Sequence, residues 1–201
     1  GANKKIILKE NIFEINTITE NTSTYQGYLN ITSKNKSGIV LFSSGTTGVP
    51  KVMVHDFSKL VESFTPPRKQ KGLRFLLFLM FDHIGGLNTL LSCLNNGTPI
   101  IIPEKRTPTE ILNLIEKQNI HILPTSPTFL NLMLLTEDFK KTNISSLKMI
   151  TYGTERMPLE LLKKIHKLLP KVKLLQTFGT SETGILKTQS KSSSSLYFKI
   201  V

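Results

Sequence analysis

Between residues 73 and 176, short apolar runs alternate with segments that carry apolar side chains on one helical face. The apolar runs have the length of strands, and the run 39–42, further upstream, is wholly apolar, as a strand buried on both faces requires. Strands that alternate with helices favour parallel βαβ units. The sequence therefore predicts an α/β fold: a doubly wound, mostly parallel sheet with flanking helices, whose strands lie at 39–42, 73–80, 98–102, 120–123, 147–152 and 172–176.

Capping residues mark the boundaries of several helices. Thr107-Pro108-Thr109-Glu110 forms a capping box with proline at the first helical position, and Ser126-Pro127 opens the next helix. Gly97 closes a helix whose leucines share one face. After the last predicted strand, residues 184–201 predict a short β hairpin around 191–195.

The charge of the chain is strongly positive, with 26 Lys and Arg against 14 Asp and Glu, or +12 in 201 residues. Nucleic-acid binding would need clustered basic residues with aromatic side chains between them. Here the basic residues are spread from Lys4 to Lys199, tryptophan is absent, and no helix-turn-helix, zinc or RNA-binding motif occurs. We therefore expect no nucleic-acid partner. The single cysteine, Cys93, favours a reducing cytoplasm, and no apolar run approaches the ~20 residues of a membrane span.

The most specific signal is the string Ser-Ser-Gly-Thr-Thr-Gly-Val-Pro-Lys at 43–51, directly after a predicted strand. Its glycines let the backbone approach an anion and expose N–H groups, its hydroxyls add short donors, and Lys51 adds a positive charge. Such a loop suits a polyphosphate, although it is not the Walker A pattern. A polar surface loop without a ligand is the plain alternative.

This string resembles the phosphate-loop signature of the adenylate-forming superfamily, which comprises acyl-CoA synthetases, peptide-synthetase adenylation domains and luciferases. The chain matches the pattern at every position. The resemblance implies that the loop grips the β- and γ-phosphates of ATP, and that the binding groups come from Ser43, Ser44, Gly45, Thr46, Thr47, Gly48 and Lys51.

Two further segments resemble motifs of the same superfamily, in the same order. Residues 176–182 are similar to its aromatic-Gly-x-Ser-Glu motif, which implies an adenine-facing ring at Phe178, a contact with the α-phosphate at Ser181 and a Mg²⁺ ligand at Glu182. Residues 152–158 are similar to the turn that lines the adenine and acyl pocket. From these two segments the cofactor-binding residues are Gly153, Thr154, Glu155, Thr177, Phe178, Gly179, Thr180 and Ser181. A plain strand-to-loop turn is the alternative for each segment.

Residues 81–87 resemble the superfamily segment whose aromatic or histidine side chain lies at the junction of the ATP and carboxylate sites. Counting back from Gly97 places His83 at that position, where it would gate the site. The pair Phe81-Asp82 also looks like the amino-acid-activating pattern, in which the aspartate binds an α-ammonium group. The spacing instead puts Ile84 at the ammonium-binding position, which favours a carboxylic acid without an α-amino group.

Taken together, the resemblance implies a central fragment of the N-terminal domain of an ATP-dependent ligase that forms an acyl-adenylate and then a thioester. The acceptor would be CoA or a phosphopantetheine thiol on an acyl carrier protein, and the catalytic residues would be His83, Lys51 and Glu182. The ribose-binding aspartate and the transition-state lysine of the superfamily are not found, so we expect the 201 residues alone to be inactive. The alternatives are a non-catalytic ATP- or AMP-binding module and an amino-acid-adenylating domain. The expected organisation is an irregular or strand-forming segment, an α/β nucleotide-binding core and the hairpin that starts a truncated subdomain, at 1–36, 37–182 and 183–201.

Overall fold

The computed structural model describes residues 4–8, 11–15, 37–43, 51–64, 72–180 and 184–201. The chain divides into two compact units, Gly1–Ser63 and Phe64–Val201, and each is described by itself. The predicted organisation into 1–36, 37–182 and 183–201 stays a prediction.

The described residues of the first unit form two antiparallel hairpins and a short helix. Strands β1 (Lys4–Leu8) and β2 (Asn11–Ile15) form one hairpin, and strands β3 (Gly38–Ser43) and β4 (Lys51–Asp56) form the other. Helix α1 (Phe57–Glu62) follows β4 directly. The predicted strand 39–42 is therefore present, but its partner is the antiparallel strand that comes next in the chain.

The expectation that residues 39–42 are buried on both faces was wrong. Leu41 is buried at 3% exposure, whereas the side chain of Phe42, which points to the opposite face, is 36% exposed. Successive side chains of a strand lie on opposite faces of a sheet, so a two-stranded hairpin covered on one side leaves every second residue exposed.

The second unit is built on a five-stranded parallel sheet in the order β6-β5-β7-β8-β9. The strands are β5 (Phe75–Leu76), β6 (Ile100–Ile101), β7 (Ile122–Thr125), β8 (Met149–Tyr152) and β9 (Lys173–Gln176). The predicted doubly wound α/β fold is confirmed. Strands β5 and β6 are shorter than predicted. The last backbone bond between the two segments joins the N–H of Leu77 to the carbonyl of Ile101, and residues 77–83 are not strand.

Strand β7 continues through Pro124, where we had expected it to stop. A proline has no N–H to donate and is normally excluded from central strands. Here β8 accompanies β7 along its whole length, but β5 pairs with β7 only between Phe75 and Ile122. The ladder on the β5 side has thus ended before Pro124, which is tolerated there as it would be at an edge.

Helices connect the strands, and two of them begin at the capping residues that the sequence predicted, Thr107 and Ser126. They are α2 (Ile84–Asn95), α3 (Pro108–Lys117), α4 (Pro127–Leu135), α5 (Asp138–Lys141) and α6 (Leu159–Leu168). The Thr107 hydroxyl accepts from the N–H of Glu110 at 3.3 Å, and the Ser126 hydroxyl accepts from the N–H of Phe129 at 3.2 Å. After α2, Gly97 has the positive φ of a helix-terminating glycine, 59°.

The main core lies between the sheet and three helices, α3, α4 and α6. Buried side chains from these helices pack against the strands, among them Ile111, Phe129 and Ile165 from the helices and Leu123 and Ile150 from the sheet. Helix α2 buries its own side chains outside this cluster. One of them is Cys93, which is 1% exposed and whose pKa burial raises to about 11.

Two small antiparallel hairpins follow the sheet. Strand β10 (Phe178–Thr180) pairs with β11 (Gly184–Leu186), and β12 (Thr188–Ser190) pairs with β13 (Phe198–Ile200). The second hairpin confirms the one predicted around 191–195. The residues that we had assigned to its beginning instead pair back with β10. Across the described ranges, every helix is too short or too polar to cross a lipid bilayer.

Candidate functional site

A pocket of about 70 Å³ lies at the carboxyl ends of the parallel strands. Thr125 ends β7, Thr151 belongs to β8 and Thr177 follows β9, and all three line the pocket together with Gly85 of α2 and Gly179 of β10. Open parallel sheets bind ligands beyond the carboxyl ends of their strands, where the strand order reverses. That reversal occurs at β5, because the chain adds β6 on one side of it and then β7 on the other.

The pocket brings together four of the residues that the sequence predicted to bind the nucleotide, Gly153, Thr154, Thr177 and Gly179. Phe178, Thr180, Glu155 and His83 are described in the structure but do not line it. The predicted residues Ser44, Gly45, Thr46, Thr47, Gly48, Ser181 and Glu182 lie outside the described residues.

Gly153 is required where two loops meet. A methyl group on its Cα would lie 2.5 Å from the hydroxyl of Thr177 and 2.9 Å from the carbonyl oxygen of the same residue. Thr177 is itself fixed, because its N–H and its hydroxyl both donate to the carbonyl of Tyr152, at 2.8 and 3.1 Å. The two loops therefore approach more closely than any side chain at 153 would allow.

Thr154 has a backbone conformation that is unfavourable for its residue type. Its φ is 70°, in the left-handed region that β-branched residues avoid. Its hydroxyl donates to the carbonyl of Gly153 at 2.5 Å. Such a conformation costs about 1–3 kcal/mol, and it is found most often at binding and catalytic sites.

Glu155 connects the pocket turn to helix α4. Its carboxylate accepts from the N–H of Thr128 at 3.0 Å and from the hydroxyl of Thr128 at 2.7 Å. Burial alone would raise the pKa of this carboxyl, but the hydrogen bonds from Thr128 and Ser126 outweigh it and hold the pKa below its usual value. Glu155 is thus ionised and engaged in orienting the turn.

Phe178 presents its ring at the surface. The side chain is 44% exposed, and its centroid lies 6.0 Å from that of Phe198 in the next hairpin. Beside it, Gly179 packs on Gly184, whose carbonyl oxygen would overlap any side chain at 179. The β10–β11 hairpin therefore holds an aromatic face next to the pocket without burying it.

His83 immediately precedes helix α2 and is largely exposed. Its side chain makes no capping bond, and its Nε2 lies 3.9 Å from Asp82 Oδ1, with 66% and 63% of the two side chains exposed. Neither residue lines the pocket, but the next one, Ile84, does, at 6% exposure. The position that the spacing assigned to ammonium binding is therefore apolar and faces the pocket.

The predicted phosphate loop is closed by a hairpin. Strands β3 and β4 pair in six consecutive positions, of which the last joins Ser43 to Lys51. The first and last residues of the predicted loop are thus held opposite each other.

Sequence analysis missed several of the residues that line the pocket, and two of them are the polar residues Thr125 and Asn88. Thr125 is 1% exposed, and its buried hydroxyl has no hydrogen-bond partner among the described residues. The sequence could have indicated Thr125 as a site residue, because it ends a buried strand and that strand lies parallel to the one before Gly153. Nothing in the sequence indicated that Asn88 lines a pocket, since a polar residue on a predicted helix is ordinarily exposed.

In the ranges that the structure describes, no three His, Cys, Asp or Glu side chains lie together as a metal site would require. The one predicted Mg²⁺ ligand, Glu182, falls outside those ranges. The metal therefore remains an expectation from the sequence.

Comparison with known proteins extends over most of the chain. The chain is 32% identical over 152 residues to 4-coumarate-CoA ligase 1 of Narcissus pseudonarcissus, covering 71% of this chain and 28% of that protein. It is 34% identical over 166 residues to acyl-CoA synthetase 7 of Caenorhabditis elegans, covering 76% of this chain and 31% of that protein. The chain thus spans less than a third of the length of these relatives.

The fold is similar to that of a luciferase-like enzyme from the mealworm Zophobas morio. The TM-score is 0.63 at 25% identity, over 74% of this chain and 35% of the other. The sequence profile described as AMP-binding enzyme matches residues 4–195. That match covers nearly the whole chain, and the two relatives of the chain named above are acyl-CoA ligases. The chain therefore belongs to the AMP-binding enzyme family.

Proposed function

We propose that the protein to which this chain belongs activates a carboxylic acid with ATP. A carboxylate oxygen attacks the α-phosphorus, the bond to pyrophosphate breaks, and an acyl-adenylate forms. A thiol then attacks the acyl carbon and releases AMP, giving a thioester. The observation that carries this proposal is the family match over residues 4–195, supported by the four predicted binding residues that line one pocket.

The triphosphate would be held by the loop between β3 and β4. The hairpin keeps Ser43 opposite Lys51, so backbone N–H groups, hydroxyls and the lysine ammonium can surround the β- and γ-phosphates. Such preorganised donors stabilise the charge that develops as pyrophosphate leaves. The residues assigned to this role are Ser43, Ser44, Gly45, Thr46, Thr47, Gly48 and Lys51.

The adenine base would stack on Phe178, whose ring is available at the surface beside the pocket. Gly153, Thr154, Thr177, Gly179 and Thr180 would form the turns around the base and the acyl phosphate. Glu155 would not contact the nucleotide itself. Its carboxylate accepts both hydrogen bonds from Thr128 and would thereby hold the neighbouring Thr154 in position.

Three assignments rest on the resemblance. Ser181 would contact the α-phosphate, Glu182 would bind a Mg²⁺ ion that offsets phosphate charge, and His83 would gate access between the two steps. The exposed position of His83, one residue before the pocket-lining Ile84, is compatible with a side chain that moves. His83, Lys51 and Glu182 are the residues that we place in the catalytic machinery.

We propose CoA as the thiol that accepts the acyl group. A phosphopantetheine thiol on a carrier protein is the alternative acceptor, and it would react in the same way. The reaction needs no nucleic acid. We place the protein in the cytoplasm, where its one buried thiol would stay reduced. The expectation that the 201 residues alone are inactive stays a prediction.

The proposal can be tested by acid-dependent exchange of pyrophosphate into ATP, measured on the full-length protein with a panel of carboxylic acids. Phe178→Ala should raise the KM for ATP about tenfold, because stacking on a base contributes about 1–3 kcal/mol. Phe198→Ala, which removes the neighbouring ring, is the matched control and should leave the KM unchanged. No exchange with any acid would contradict the proposal, and ATP binding without exchange would favour a non-catalytic module.

A further inference from the structure

Basic residues stand at the amino edge of the parallel sheet, at the ends of the strands opposite to the pocket. Arg74 directly precedes β5, His121 precedes β7 and Lys148 precedes β8. These three strands are neighbours, and their first residues are paired in register. The three basic residues therefore lie side by side across two strand spacings of about 4.8 Å each.

Backbone hydrogen bonds hold these three residues in line. The carbonyl of Arg74 accepts from the N–H groups of His121 and Ile122, at 2.9 and 3.1 Å. One strand further, the carbonyl of His121 accepts from the N–H groups of Lys148 and Met149, at 2.8 and 3.1 Å. Side chains in register on parallel strands lie on the same face of a sheet. The side chains of Arg74, His121 and Lys148 are therefore neighbours on one face.

This row of basic residues is short. In register with Arg74, the residue that precedes β6 is Pro99, and in register with Lys148, the residue that precedes β9 is Val172. Lys173 lies one position further along β9 and thus on the opposite face. Both ends of the row are therefore uncharged. Nucleic acids and anionic membranes are bound by more extended basic surfaces, so the row fits a small anion.

His121 presents a hydrogen-bond donor between two cations. Its Nδ1 accepts from the backbone N–H of Arg74 at 3.1 Å, so the neutral ring carries its proton on Nε2. None of the described residues accepts a hydrogen bond from that Nε2. The side chain of Arg74 is itself held in place, because its Nη1 donates to the carbonyl of Gln118 at 2.7 Å. The row thus combines a fixed guanidinium with an imidazole N–H that has no acceptor in the described part of the chain.

The positive charge of the row is not compensated within the residues that the structure describes. Neither Arg74 nor Lys148 forms an ion pair there. Burial lowers the pKa of His121, and the charges of Lys148 and Arg74 lower it further, with no carboxylate that opposes them. The nearest carboxylate in the sequence, that of Glu116, accepts from the N–H of Asn143 at 3.0 Å. An anion bound at this edge would therefore relieve an existing repulsion.

The chemistry of the three side chains favours a tetrahedral dianion. A guanidinium presents parallel N–H groups that match two oxygens of a phosphate or a sulfate, and an ammonium adds a point charge beside them. The imidazole of His121 adds one further N–H donor. Backbones within about 10 Å of each other let the long side chains of Arg74 and Lys148 meet around one ion.

We propose that the amino edge of the sheet binds a free tetrahedral dianion, such as inorganic phosphate or the phosphate group of a small metabolite, between Arg74, His121 and Lys148. The inference does not rest on the proposed function, because it uses none of the residues that we place in the catalytic machinery. It can therefore fail or succeed without any measurement of turnover.

The test is a titration of the full-length protein with sodium sulfate at pH 7, followed by NMR of labelled histidine side chains. Sulfate is the probe because its charge does not change near neutral pH. The resonance of His121 is the one that disappears in His121→Gln. We expect a saturable shift of this resonance with sulfate and no saturable shift with sodium chloride at equal ionic strength. Inorganic phosphate should compete with sulfate for the same shift.

Substitutions identify the groups that hold the ion. Lys148→Gln should weaken sulfate binding about tenfold, because hydrogen bonds from charged donors are the stronger ones. Arg74→Lys keeps the charge but loses the planar fork, so it should also weaken binding. Lys187→Gln is the matched control, since Lys187 is likewise exposed and forms no ion pair with a described residue. This variant should bind sulfate as the wild type does.

Three results would overturn the inference. The first is a shift of the His121 resonance that is equal with sulfate and chloride, which would indicate screening alone. The second is equal sulfate affinity in Lys148→Gln and the wild type. The third is binding to vesicles of equal parts phosphatidylcholine and phosphatidylserine without saturable sulfate binding, which would assign the row to a membrane surface instead.

Discussion

Thr154 is held in a conformation that glycine would adopt without cost. Its φ of 70° places a β-branched side chain in the left-handed region, and the residue lines the pocket. The turn is restrained on both sides of Thr154, by the close approach of Gly153 to Thr177 and by the hydrogen bonds from Thr128 to Glu155. The strain is thus maintained by the surrounding structure, as is common at binding sites.

Replacing Thr154 by glycine should separate stability from activity. We expect Thr154→Gly to increase the free energy of unfolding by up to about 1 kcal/mol, since relief of strain exceeds the entropic cost of glycine. The same change should raise the KM for ATP or the acid. Urea denaturation and pyrophosphate exchange measure the two effects. A lower stability would show that the hydroxyl bond to Gly153 matters more than the backbone strain.

The Glu155 carboxylate makes stability depend on pH. Its pKa is lowered in the folded protein by the bonds from Thr128, which outweigh the effect of burial. A lowered pKa means that the stabilisation is present above the ordinary value of 4.5 and is lost as the pH falls toward the folded-state pKa. Glu155→Gln should therefore be less stable than the wild type at pH 7, with a difference that shrinks below pH 4.5.

Urea denaturation at pH 7 and at pH 3.5 would measure that difference. Glu160→Gln is a suitable control, because the Glu160 carboxylate has only an exposed partner, the Lys163 ammonium at 3.0 Å. Exposed pairs of this kind contribute little, so the control should behave as the wild type does at both pH values. A constant difference for Glu155→Gln across the range would contradict a role for its charge.

At the scale of elements, adjacent glycines at the start of α2 have different tasks. A methyl group at Gly85 would lie 3.3 Å from the terminal carbon of Leu79, a flexible side chain. A methyl group at Gly86 would overlap the backbone carbonyl of Met80. Only Gly86 is therefore needed for the close approach between α2 and the segment after β5.

The two substitutions should change stability in opposite directions. Alanine is favoured over glycine inside a helix by about 1 kcal/mol, so Gly85→Ala should be neutral or stabilising. Gly86→Ala must displace backbone, and we expect a loss of about 2–3 kcal/mol. Urea denaturation of both variants measures the difference, and equal effects would contradict the packing at Met80.

Elements with local signals were predictable from the sequence, whereas contacts between distant residues were not. The caps at Thr107 and Ser126 act within three residues, and the structure has both. The bond between Glu155 and Thr128 joins residues that are 27 positions apart, and no sequence pattern predicts it. The passage of β7 through Pro124 likewise depended on where a neighbouring strand ends. Within the site, the motifs predicted Gly153 and Thr177. The buried hydroxyl of Thr125, which has no partner among the described residues, could be identified only from the fold.

At the scale of the whole molecule, the net charge of +12 is not focused on one site. The described side chains form few ion pairs, and those between lysine and glutamate, at Lys140–Glu137 and Lys163–Glu160, are exposed and contribute little. The excess therefore acts mainly as repulsion spread over the surface.

Salt should stabilise a molecule with such a surface. Screening grows as the Debye length falls from ~30 Å at 0.01 M to ~8 Å at 0.15 M, which reduces repulsion between lysines more than it weakens the few pairs. We expect the free energy of unfolding in urea to rise when NaCl is increased from 10 to 150 mM. Sodium sulfate at equal ionic strength would separate screening from other salt effects, and a fall in stability would contradict the interpretation.

The single thiol of the chain turns helix α2 into a measurable kinetic probe. Cys93 is closed off from solvent, and its pKa of about 11 instead of 9 lowers the thiolate fraction at neutral pH about 100-fold. Modification by a maleimide must therefore wait for the helix to open, and its rate reports the equilibrium constant of that opening. Since α2 also lines the pocket, a ligand seated there should slow the reaction. Occupancy could thus be followed by mass spectrometry of the maleimide adduct, without turnover.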